Sequence, residues 1–567
     1  MKIALYHGYE LTGSGSNEYT RYLAVALNGL GHEVVILCSE PVPEEHAFVD
    51  RCYSFETPQR AVLRFDRSTD KPGSVTLYQL PQASTLPVYI TDKQRAGVVK
   101  QFIDLTDQEL AHYHRTTAEG VRTALKAERP DVVHANHLVW QPVVAAEVCG
   151  SLEIPFYIVA HGSSLEYAVR RDARYRRAAE EALLRSDGLV WIAPNVQQRV
   201  VELYDQHREV IRQRSFFAGT GVDTSLFRLA ERSERPRSLG RLIAAGPFRG
   251  KSRKQKTALT DRLDGGDLES IRDYWSAYDH RVPDEDLAAQ LNSIAPDDDL
   301  LLYVGALTWG KGVQALLAAM PEILSNRPTA RLLIVGSGTF REALEALAHS
   351  IETANESLFD EVLARGRALD RDATPEPLID VRDYSTVARR RQILFEHGPR
   401  LAGRVHFLGR LDHSQLRWVF PCCQLAVFPS IVHEASPLVL AESMANGVLP
   451  AAAYHSGLRD GLDALADDLP LDVFNRLRID DDLSTRVASL ADNVSWLLAK
   501  GVSNALSRDL RRIAEERHDW QSTATAIASA AQAIVDSHGS PGSHGPASSP
   551  DAVVHGRRRL HQYAPPL

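Results

Sequence analysis

Short apolar runs alternate with helical patterns along the first 230 residues of the chain. Each run has four or five residues and suits a strand that is buried on both faces, which is typical of parallel sheets. The runs are Lys2–Tyr6, Val34–Leu37, Asp131–His134, Phe156–Val159 and Gly188–Ile192. Between the first two runs lies an amphipathic helical pattern that ends at Gly31. Because strands and helices alternate, we predict an α/β domain with a parallel sheet.

The same alternation returns in the second half of the chain after a polar break. Residues 231–298 are rich in Arg, Asp, Ser and Gly and predict a linker or an inserted segment. Four more apolar runs follow it, at Leu300–Gly305, Arg331–Gly336, Val405–Gly409 and Leu425–Pro429. Residues 350–402 carry many charges and contain no such run, so we predict a second α/β domain that holds an insertion.

These patterns set the predicted domain boundaries. An N-terminal domain covers 1–230, the linker or insertion 231–298, and a C-terminal domain 299–515 with its insertion at 350–402. We expect a helix at 516–535 to pack back on the first domain. The tail 536–567 is rich in Ser, Gly, Pro and His and is predicted to be disordered.

Composition and charge exclude several classes of protein. Of the 567 residues, 44% are hydrophobic and 24% charged, which is ordinary for a folded globular chain. A formal charge of -9 argues against nucleic acid as the main partner, because phosphate backbones attract basic surfaces. There is no secretory signal pattern, no apolar stretch near the ~20 residues that cross a bilayer, and no regular cysteine spacing. We expect a cytoplasmic protein, with peripheral contact with the inner face of a membrane left open.

Candidate chemistry follows the predicted strands, since open parallel sheets bind ligands at the carboxyl ends of their strands. The loop Gly13–Asn17 opens a helix, and its backbone could approach a phosphate; a simple tight turn explains it equally well. Lys311 stands between Gly310 and Gly312 at a helix start. It could also contact a phosphate, with a solvated lysine in a turn as the alternative.

The segment from Pro429 to Glu442 is the richest in candidate chemistry. Glu434 lies in the predicted loop and Glu442 in the following helix, eight positions later. Ser436 is the predicted N-cap and Pro437 the first helical residue. Two carboxylates at a helix entrance can accept hydrogen bonds from hydroxyl-rich ligands such as ribose and sugars.

Other polar residues leave more than one interpretation. His161 follows a strand and could contact a substrate hydroxyl or phosphate, or be satisfied by backbone, as could His134 and His137 on either side of Asn136. We predict solvated loop charges, rather than metal sites, at 297–299 and 480–482. The basic stretch 249–256 could touch acidic lipid or a polyanionic acceptor, although such runs are usually solvated or disordered.

Taken in order, these segments resemble the GT-B glycosyltransferases, specifically the retaining family 4, which uses nucleotide-sugar donors. The resemblance covers residues 1–40, 130–230, 300–345 and 403–460. Its segments are Gly13–Glu18, Asp131–His134, His161-Gly162, Gly221–Asp223, Lys311-Gly312, Val335–Gly338 and Glu434-x7-Glu442 with Met444–Gly447. It implies two Rossmann-like, doubly wound domains that face each other across a cleft.

The resemblance also implies roles for single residues. Glu442 would bind the ribose hydroxyls, Glu434 the hydroxyls of the transferred sugar, and Lys311 the diphosphate, whose charge grows in the transition state. His161 would lie beside the donor sugar. The other implied donor-binding positions are Gly15, Ser16, Gly305, Ser436 and Leu438. We expect a UDP-sugar as the donor and no bound cofactor or metal. The acceptor, against the first domain, would be a carbohydrate, a lipid-linked sugar or a small molecule.

One departure from the family pattern stands out. Members usually carry Arg directly after the glycine at position 305, and this chain has Ala306 there. Arg459, Arg170 or Arg171 could compensate. Two other functions stay open: a GT-B sugar-nucleotide epimerase, which would turn over donor without acceptor, and a non-catalytic sugar-nucleotide-binding protein.

Overall fold

The computed structural model describes residues 1–69, 72–89, 98–370 and 375–538. The predicted disordered tail lies outside the described residues from position 539 onward, whereas its first three residues belong to the last helix. Within the described residues the strands are β1 Lys2–Tyr6, β2 Glu33–Cys38, β3 Arg51–Thr57, β4 Arg60–Asp66, β5 Val75–Gln79, β6 Thr85–Val88, β7 Val98–Gln101, β8 Val132–Asn136, β9 Phe156–Val159, β10 Gly188–Trp191, β11 Ser215–Phe217, β12 Asp299–Val304, β13 Ala330–Val335, β14 Val405–Gly409, β15 Leu425–Phe428, β16 Leu449–Ala453 and β17 Arg478–Ile479.

Helices cover most of the remaining described chain. They are α1 Gly15–Gly29, α2 Asp107–Glu128, α3 Gln141–Leu152, α4 Gly162–Ser164, α5 Ala173–Arg185, α6 Pro194–Leu203, α7 Arg208–Gln213, α8 Arg235–Ala244, α9 Arg253–Asp264, α10 Leu287–Asn292, α11 Val313–Asn326, α12 Arg341–Glu352, α13 Glu356–Arg365, α14 Ile379–Thr386, α15 Ala388–His397, α16 His413–Leu416, α17 Leu438–Ala445, α18 Ser456–Asp463, α19 Leu471–Leu477, α20 Leu483–Lys500, α21 Asn504–Arg517 and α22 Trp520–His538. The predicted strands are all present, so the α/β prediction is confirmed.

The first sheet has β1 at its topological centre. Its strand order is β11-β10-β9-β8-β1-β2-β5-β3-β4, and all neighbours run parallel except the β3–β4 hairpin. The chain leaves β1 toward β2 on one side and later returns to build β8 on the other. The carboxyl ends of β1 and β8 therefore flank the crevice in which doubly wound sheets bind ligands.

The second sheet repeats this logic with six parallel strands. Its order is β14-β13-β12-β15-β16-β17. Successive strands are added on one side of β12 as far as β14, and from β15 onward on the other side, so the strand order reverses between β12 and β15. Every residue of β13 and β15 is buried, because helices cover both faces of the sheet. Loops 305–312 and 429–437, which leave β12 and β15, consequently lie side by side at the second crevice.

Local sequence explains how α1 begins at the first crevice. The Ser14 side chain accepts a hydrogen bond from the Asn17 amide and caps the helix. Leu23 and Leu27 are fully buried on the inner face. The helix thus points its N-terminus at the crevice while its apolar side covers the sheet.

Residues 231–298 are a packed part of the second domain rather than a free linker. Leu242, Leu259 and Leu287 are buried in the same core as the strands of the second sheet. The insertion 350–402 contributes Phe359 and Leu394 to that core. Both segments, 231–298 and 350–402, are therefore part of the second domain.

The prediction of a solvated or lipid-binding stretch at 249–256 is wrong for its central lysine. Lys251 is completely buried, and its Nζ lies 3.1 Å from Glu342 and also bonds Glu345. The adjacent Arg341 pairs with Asp284 at 2.6 Å, and both side chains are 1% exposed. This buried ion network ties the segment 231–298 to α12.

The prediction of solvated charges at 297–299 is wrong for two of the three residues. Asp298 and Asp299 are buried and form ion pairs with Arg404 and Arg327 at 2.7 Å each, whereas Asp297 is exposed. All three residues of the run 480–482 are exposed, as predicted, and Asp482 also caps α20 through the Ser484 amide.

The last helix returns to the first domain. Trp520, Ile527 and Ile534 of α22 are buried in the core formed by the first sheet. Trp520 stacks on Tyr22 of α1, with ring centroids 5.7 Å apart. The chain crosses between the domains a second time to reach this position, and the Val222 amide there donates to the His518 carbonyl at 2.6 Å.

All five cysteines are free and buried. Among the described helices, none is both long and apolar enough to cross a membrane.

Removing the buried cation at Lys251 should destabilise the second domain strongly. A Lys251→Met variant leaves the buried Glu342 with only the Tyr278 hydroxyl and Glu345 with only Arg341, which should lower the free energy of unfolding by about 3–5 kcal/mol. Urea unfolding followed by tryptophan fluorescence measures this change. The exposed neighbour Lys254 gives the matched control. Lys254→Met should change stability by less than about 0.5 kcal/mol, and an equally small loss in Lys251→Met would contradict the assigned network.

Candidate active site

Backbone hydrogen bonds join the two loops at the crevice of the second sheet. The amides of Ile431 and Val432 both donate to the Gly310 carbonyl, at 2.8 and 3.1 Å. Loop 305–312 is therefore fixed against loop 429–437, and side chains from the two loops can meet.

Lys311 and Glu434 are the side chains that meet there. Lys311 Nζ donates to Glu434 Oε1, and the Ser430 hydroxyl donates to the same oxygen at 2.7 Å. The glycine after the lysine is required: Gly312 has φ +72°, and a Cβ at that position would lie 1.9 Å from the Pro429 carbonyl oxygen. Local backbone geometry thus places Lys311, the only lysine of loop 305–312, on the Glu434 carboxylate of loop 429–437.

Electrostatics keeps Glu434 ionised. Burial by itself would raise the pKa of Glu434, but the charge and hydrogen bond of Lys311, with the bond from Ser430, hold it below its ordinary value of 4.5. The crevice therefore contains a matched pair of full charges at neutral pH.

The backbone around Glu434 is also fixed. Its amide donates to the Ser456 hydroxyl at 3.0 Å, and its carbonyl accepts from the Gly457 amide at 2.9 Å. His455 Nε2 donates to the Ser430 carbonyl at 2.7 Å. The carboxylate is thus held by its own chain on both sides before any ligand arrives.

The predicted cap of the following helix is wrong. Helix α17 begins at Leu438, and Pro437, not Ser436, occupies the N-cap position without a side-chain cap bond. The Ser436 hydroxyl instead lies 2.8 Å from the Thr220 hydroxyl. Leu438 packs, together with Ala435, against the core of the first domain. This segment therefore serves as a contact surface between the two domains.

Glu442 has a partner that sequence reasoning missed. Its Oε1 lies 3.1 Å from His413 Nε2, and the carboxylate is almost fully buried. Burial alone would lower the pKa of His413, but the Glu442 carboxylate, with a smaller contribution from Glu18, raises it above 6.5. A histidine on a four-residue helix, far from Glu442 in sequence, carried no recognisable signal.

His413 also reaches the first domain. Its Nδ1 lies 2.9 Å from the Tyr22 hydroxyl and 3.8 Å from Glu18 Oε2, both on α1. Glu442, His413 and α1 therefore form one continuous polar contact from the second crevice to the first domain.

His161 precedes a glycine that contacts the second domain, and it is part of a hydrogen-bond chain. The adjacent Gly162 approaches Ala435 so closely that an added Cβ would lie 3.1 Å from the alanine Cβ. His161 Nε2 lies 2.7 Å from Asn136 Oδ1, and His134 Nε2 lies 3.3 Å from the same oxygen. Because an amide oxygen only accepts, both rings donate to it, which leaves Nδ1 of His161 as the acceptor.

The histidines of this crevice are neutral. Burial lowers the pKa of His161 well below 6.5, and the neighbouring His7 and His134 lower it further. Burial also lowers the pKa of His134, to about 3. His137 has φ +71°, and its ring is tilted against the His161 ring with the centroids 4.9 Å apart. Neither ring nitrogen of His137 has a hydrogen-bond partner among the described residues. The first crevice therefore offers uncharged ring nitrogens rather than cations.

The remaining predicted positions lie at the two loop entrances. Gly15 and Ser16 start α1, and a Cβ on the preceding Gly13 would lie 3.6 Å from the Arg410 guanidinium of the second domain. Gly305 follows β12 and packs on Tyr303, whose hydroxyl donates to the Ala306 carbonyl at 3.0 Å. Gly305 lies in the same loop as Lys311, and the roles of Gly15, Ser16 and Gly305 remain predictions.

One segment in each half of the chain matches a glycosyltransferase family model. Residues 14–211 match the glycosyl transferase 4-like domain, and residues 284–360 match the glycosyl transferases group 1 domain. An uncharacterized glycosyltransferase of Methanocaldococcus jannaschii is 39% identical over 66 residues, which are 12% of this chain and 17% of that protein. The chain thus matches about a sixth of the length of this curated relative.

Several solved structures share the fold over almost the whole chain. Sucrose-phosphate synthase from Thermosynechococcus elongatus is 16% identical with a TM-score of 0.53, covering 94% of this chain and 99% of its own. Anabaena HepE in complex with UDP is 13% identical with a TM-score of 0.51, covering 94% and 100%. The catalytic domain of starch synthase IV from Arabidopsis thaliana, bound to ADP and acarbose, is 12% identical with a TM-score of 0.53, covering 94% and 99%.

These findings confirm the predicted GT-B fold with its two Rossmann-like domains. Together with the two domain matches, they support a GT-B glycosyltransferase.

The contact of His413 with Glu442 should depend on pH. Because the pKa of His413 is raised above 6.5 in the folded protein, the stabilisation by its charge is complete below pH 6.5 and is lost as the pH rises through the raised value. A His413→Gln variant should therefore be less stable than the unsubstituted protein by about 1.5–3 kcal/mol at acidic pH. This difference should shrink steadily toward alkaline pH in urea unfolding curves. The exposed His112 of α2 provides the control, His112→Gln, which should show no comparable loss; a difference for His413→Gln that does not change with pH would contradict the ionic contact.

Proposed function

We propose that the protein is a retaining glycosyltransferase of family 4 that moves a sugar from a nucleoside-diphosphate sugar to an acceptor hydroxyl. The observation that carries this proposal is the Lys311–Glu434 pair at the point between β12 and β15 where the strand order of the second sheet reverses. A cation and a carboxylate at such a crevice suit a ligand that has both a diphosphate and a sugar.

Lys311 is the proposed diphosphate contact. As the bond between sugar and diphosphate breaks, negative charge grows on the leaving diphosphate, and a cation already in place stabilises it without reorganisation. The pair with Glu434 and the backbone of Gly310 hold the lysine at the crevice beforehand.

Glu434 and Glu442 are the proposed sugar and ribose contacts. Both are acceptors at neutral pH and can bind hydroxyl groups through charge-assisted hydrogen bonds. Glu434 is held with one oxygen on Lys311 and Ser430, so its second oxygen is the one offered to the transferred sugar. His161, with Nδ1 as acceptor, would receive a hydroxyl of the same sugar.

We propose a UDP-sugar as the donor and a metal-independent reaction. HepE was solved with UDP, and it shares the fold over 94% of this chain. The proposal of metal independence rests on Lys311 supplying the positive charge at the diphosphate. The acceptor would be a carbohydrate, a lipid-linked sugar or a small molecule bound to the first domain, in a cytoplasmic protein that could contact a membrane peripherally.

Nucleotide binding gives the first test. In a thermal-shift panel of UDP, ADP, GDP, dTDP and their glucose conjugates, UDP and UDP-glucose should raise the Tm. A ligand at 100 times its Kd stabilises by about 2.7 kcal/mol. The shift should disappear in Lys311→Ala and Glu442→Ala, because each removes a proposed donor contact.

Each variant has a matched control on the surface. Lys500→Ala and Glu515→Ala remove exposed charges that lie in surface ion pairs, and both should keep the full shift. Comparing each protein with and without nucleotide separates binding from any loss of basal stability. If no nucleotide shifts the Tm of the unsubstituted protein, the proposed function is wrong.

Metal removal tests the proposed chemistry. Hydrolysis or transfer from UDP-glucose, followed by UDP release, should be unchanged within experimental error after treatment with excess EDTA. A loss of activity that added Mg²⁺ or Mn²⁺ restores would contradict metal independence. Product configuration, read from the anomeric proton coupling in NMR spectra, would show retention or overturn it.

A further inference from the structure

The insertion 350–402 delivers an arginine to the loop that carries Lys311. Arg367 lies directly after α13, and its guanidinium carbon is 4.2 Å from the ring centroid of Trp309. Trp309 is two residues before Lys311 in the same 3-10 turn. A second cation therefore lies beside the loop in which position 306 holds alanine.

Several contacts fix the turn that holds Arg367. Its amide donates to the Glu376 carbonyl at 2.7 Å, and its Nη1 donates to Glu376 Oε2 at 2.6 Å. Asp370, one turn later, accepts from the Trp309 amide at 3.4 Å and also from the Thr339 hydroxyl. Since Trp309 and Thr339 belong to the loops after β12 and β13, the insertion is bonded to the donor side of the second sheet rather than standing apart from it.

The Arg367 guanidinium is partly open to a further ligand, because the side chain is 29% exposed. Its Nε is buried and has no hydrogen-bond partner among the described residues, so a ligand would contact the exposed part of the group. A partly exposed guanidinium that holds one carboxylate and stacks on an indole is oriented, and an oriented guanidinium suits phosphate recognition.

Charges on both sides of the cleft meet at this place. Burial raises the pKa of Tyr167 in the first domain, the Glu434 carboxylate raises it further, and Arg171 and then Arg367 oppose that rise. The Tyr167 phenol therefore lies within electrostatic range of both Glu434 and Arg367.

The residues that could otherwise replace the missing cation are less well placed. Arg170 pairs with Glu166 at 3.6 Å, and Arg171 lies over the Tyr167 ring, both in the first domain. Arg459 lies on α18, beyond loop 429–437. Among these four arginines, Arg367 alone contacts loop 305–312.

We propose that Arg367, supplied by the insertion, takes the place of the arginine absent at position 306 and binds the donor diphosphate together with Lys311. This inference rests on the proposed function, since it names a further residue of the same donor site. The insertion then has a chemical role: it completes the cationic half of the crevice from outside the minimal fold.

Paired titrations of nucleoside and nucleoside diphosphate test the proposal. In calorimetric titrations with UDP and with uridine, Arg367→Gln should weaken UDP binding by about ten-fold or more, the loss of one charge-assisted contact. Uridine, which lacks phosphate, should bind both proteins equally and shows that the variant is folded. Arg367→Lys keeps the charge and should lose less. The control is Arg365→Gln. Arg365 lies two residues before Arg367 and forms surface ion pairs with Glu269 and Glu361, so this variant should bind UDP normally.

A double variant gives the decisive outcome. Adding Ala306→Arg to Arg367→Gln should recover UDP affinity if the two positions supply the same cation. Unchanged UDP affinity in Arg367→Gln, an equal loss for uridine, or failure of the double variant to recover binding would each overturn the assignment. If the unsubstituted protein binds neither UDP nor any of ADP, GDP and dTDP, the proposed function itself fails, which is a different result from a normal UDP affinity in Arg367→Gln.

Discussion

The site depends on the parallel pairing of strands β12 and β15. Because these strands are neighbours, the loops that follow them lie side by side, and the Gly310 carbonyl can accept two amides from the opposite loop. That backbone contact places Lys311 on Glu434, and the lysine in turn keeps the carboxylate charged in a buried position. Loss of the backbone contact at Gly310 would displace Lys311 and Glu434 together. Leaving either of these partly buried charges without its partner is costly.

Contacts between the domains converge on the same segment. Ser436 reaches Thr220, Ala435 and Leu438 pack on the first core, and Glu442 reaches α1 through His413. Three proposed donor-binding residues, Ser436, Leu438 and Glu442, thus also belong to the interface or connect to it. Donor binding and the approach of the two domains are therefore expected to be linked, since both use the same short stretch of chain.

Sequence patterns predicted the parts of this molecule that local chemistry determines. Apolar runs located nine of the described strands but not β3–β7, β11, β16 or β17. The glycines around Lys311 predicted its turn, because such features depend on neighbouring residues. The patterns failed where a distant partner decides. The basic run around Lys251 predicts a solvated side chain, yet Lys251 is buried and pairs with two carboxylates of α12. The Ser436 hydroxyl contacts Thr220 instead of capping a helix. His413 and Arg367 carry no local signal, since their contacts with Glu442 and Trp309 arise only after folding.

The return of α22 to the first domain makes that domain discontinuous in sequence. Its core includes Trp520, Ile527 and Ile534, which are synthesised after the whole of the second domain. Until they emerge from the ribosome, Tyr22 lacks the indole on which it stacks, and the apolar surface that α22 covers is exposed. The second domain, whose core closes with Ala514, can fold first. During synthesis the N-terminal half is thus expected to complete its folding last, in reverse of the usual order, and to need protection from aggregation in the meantime.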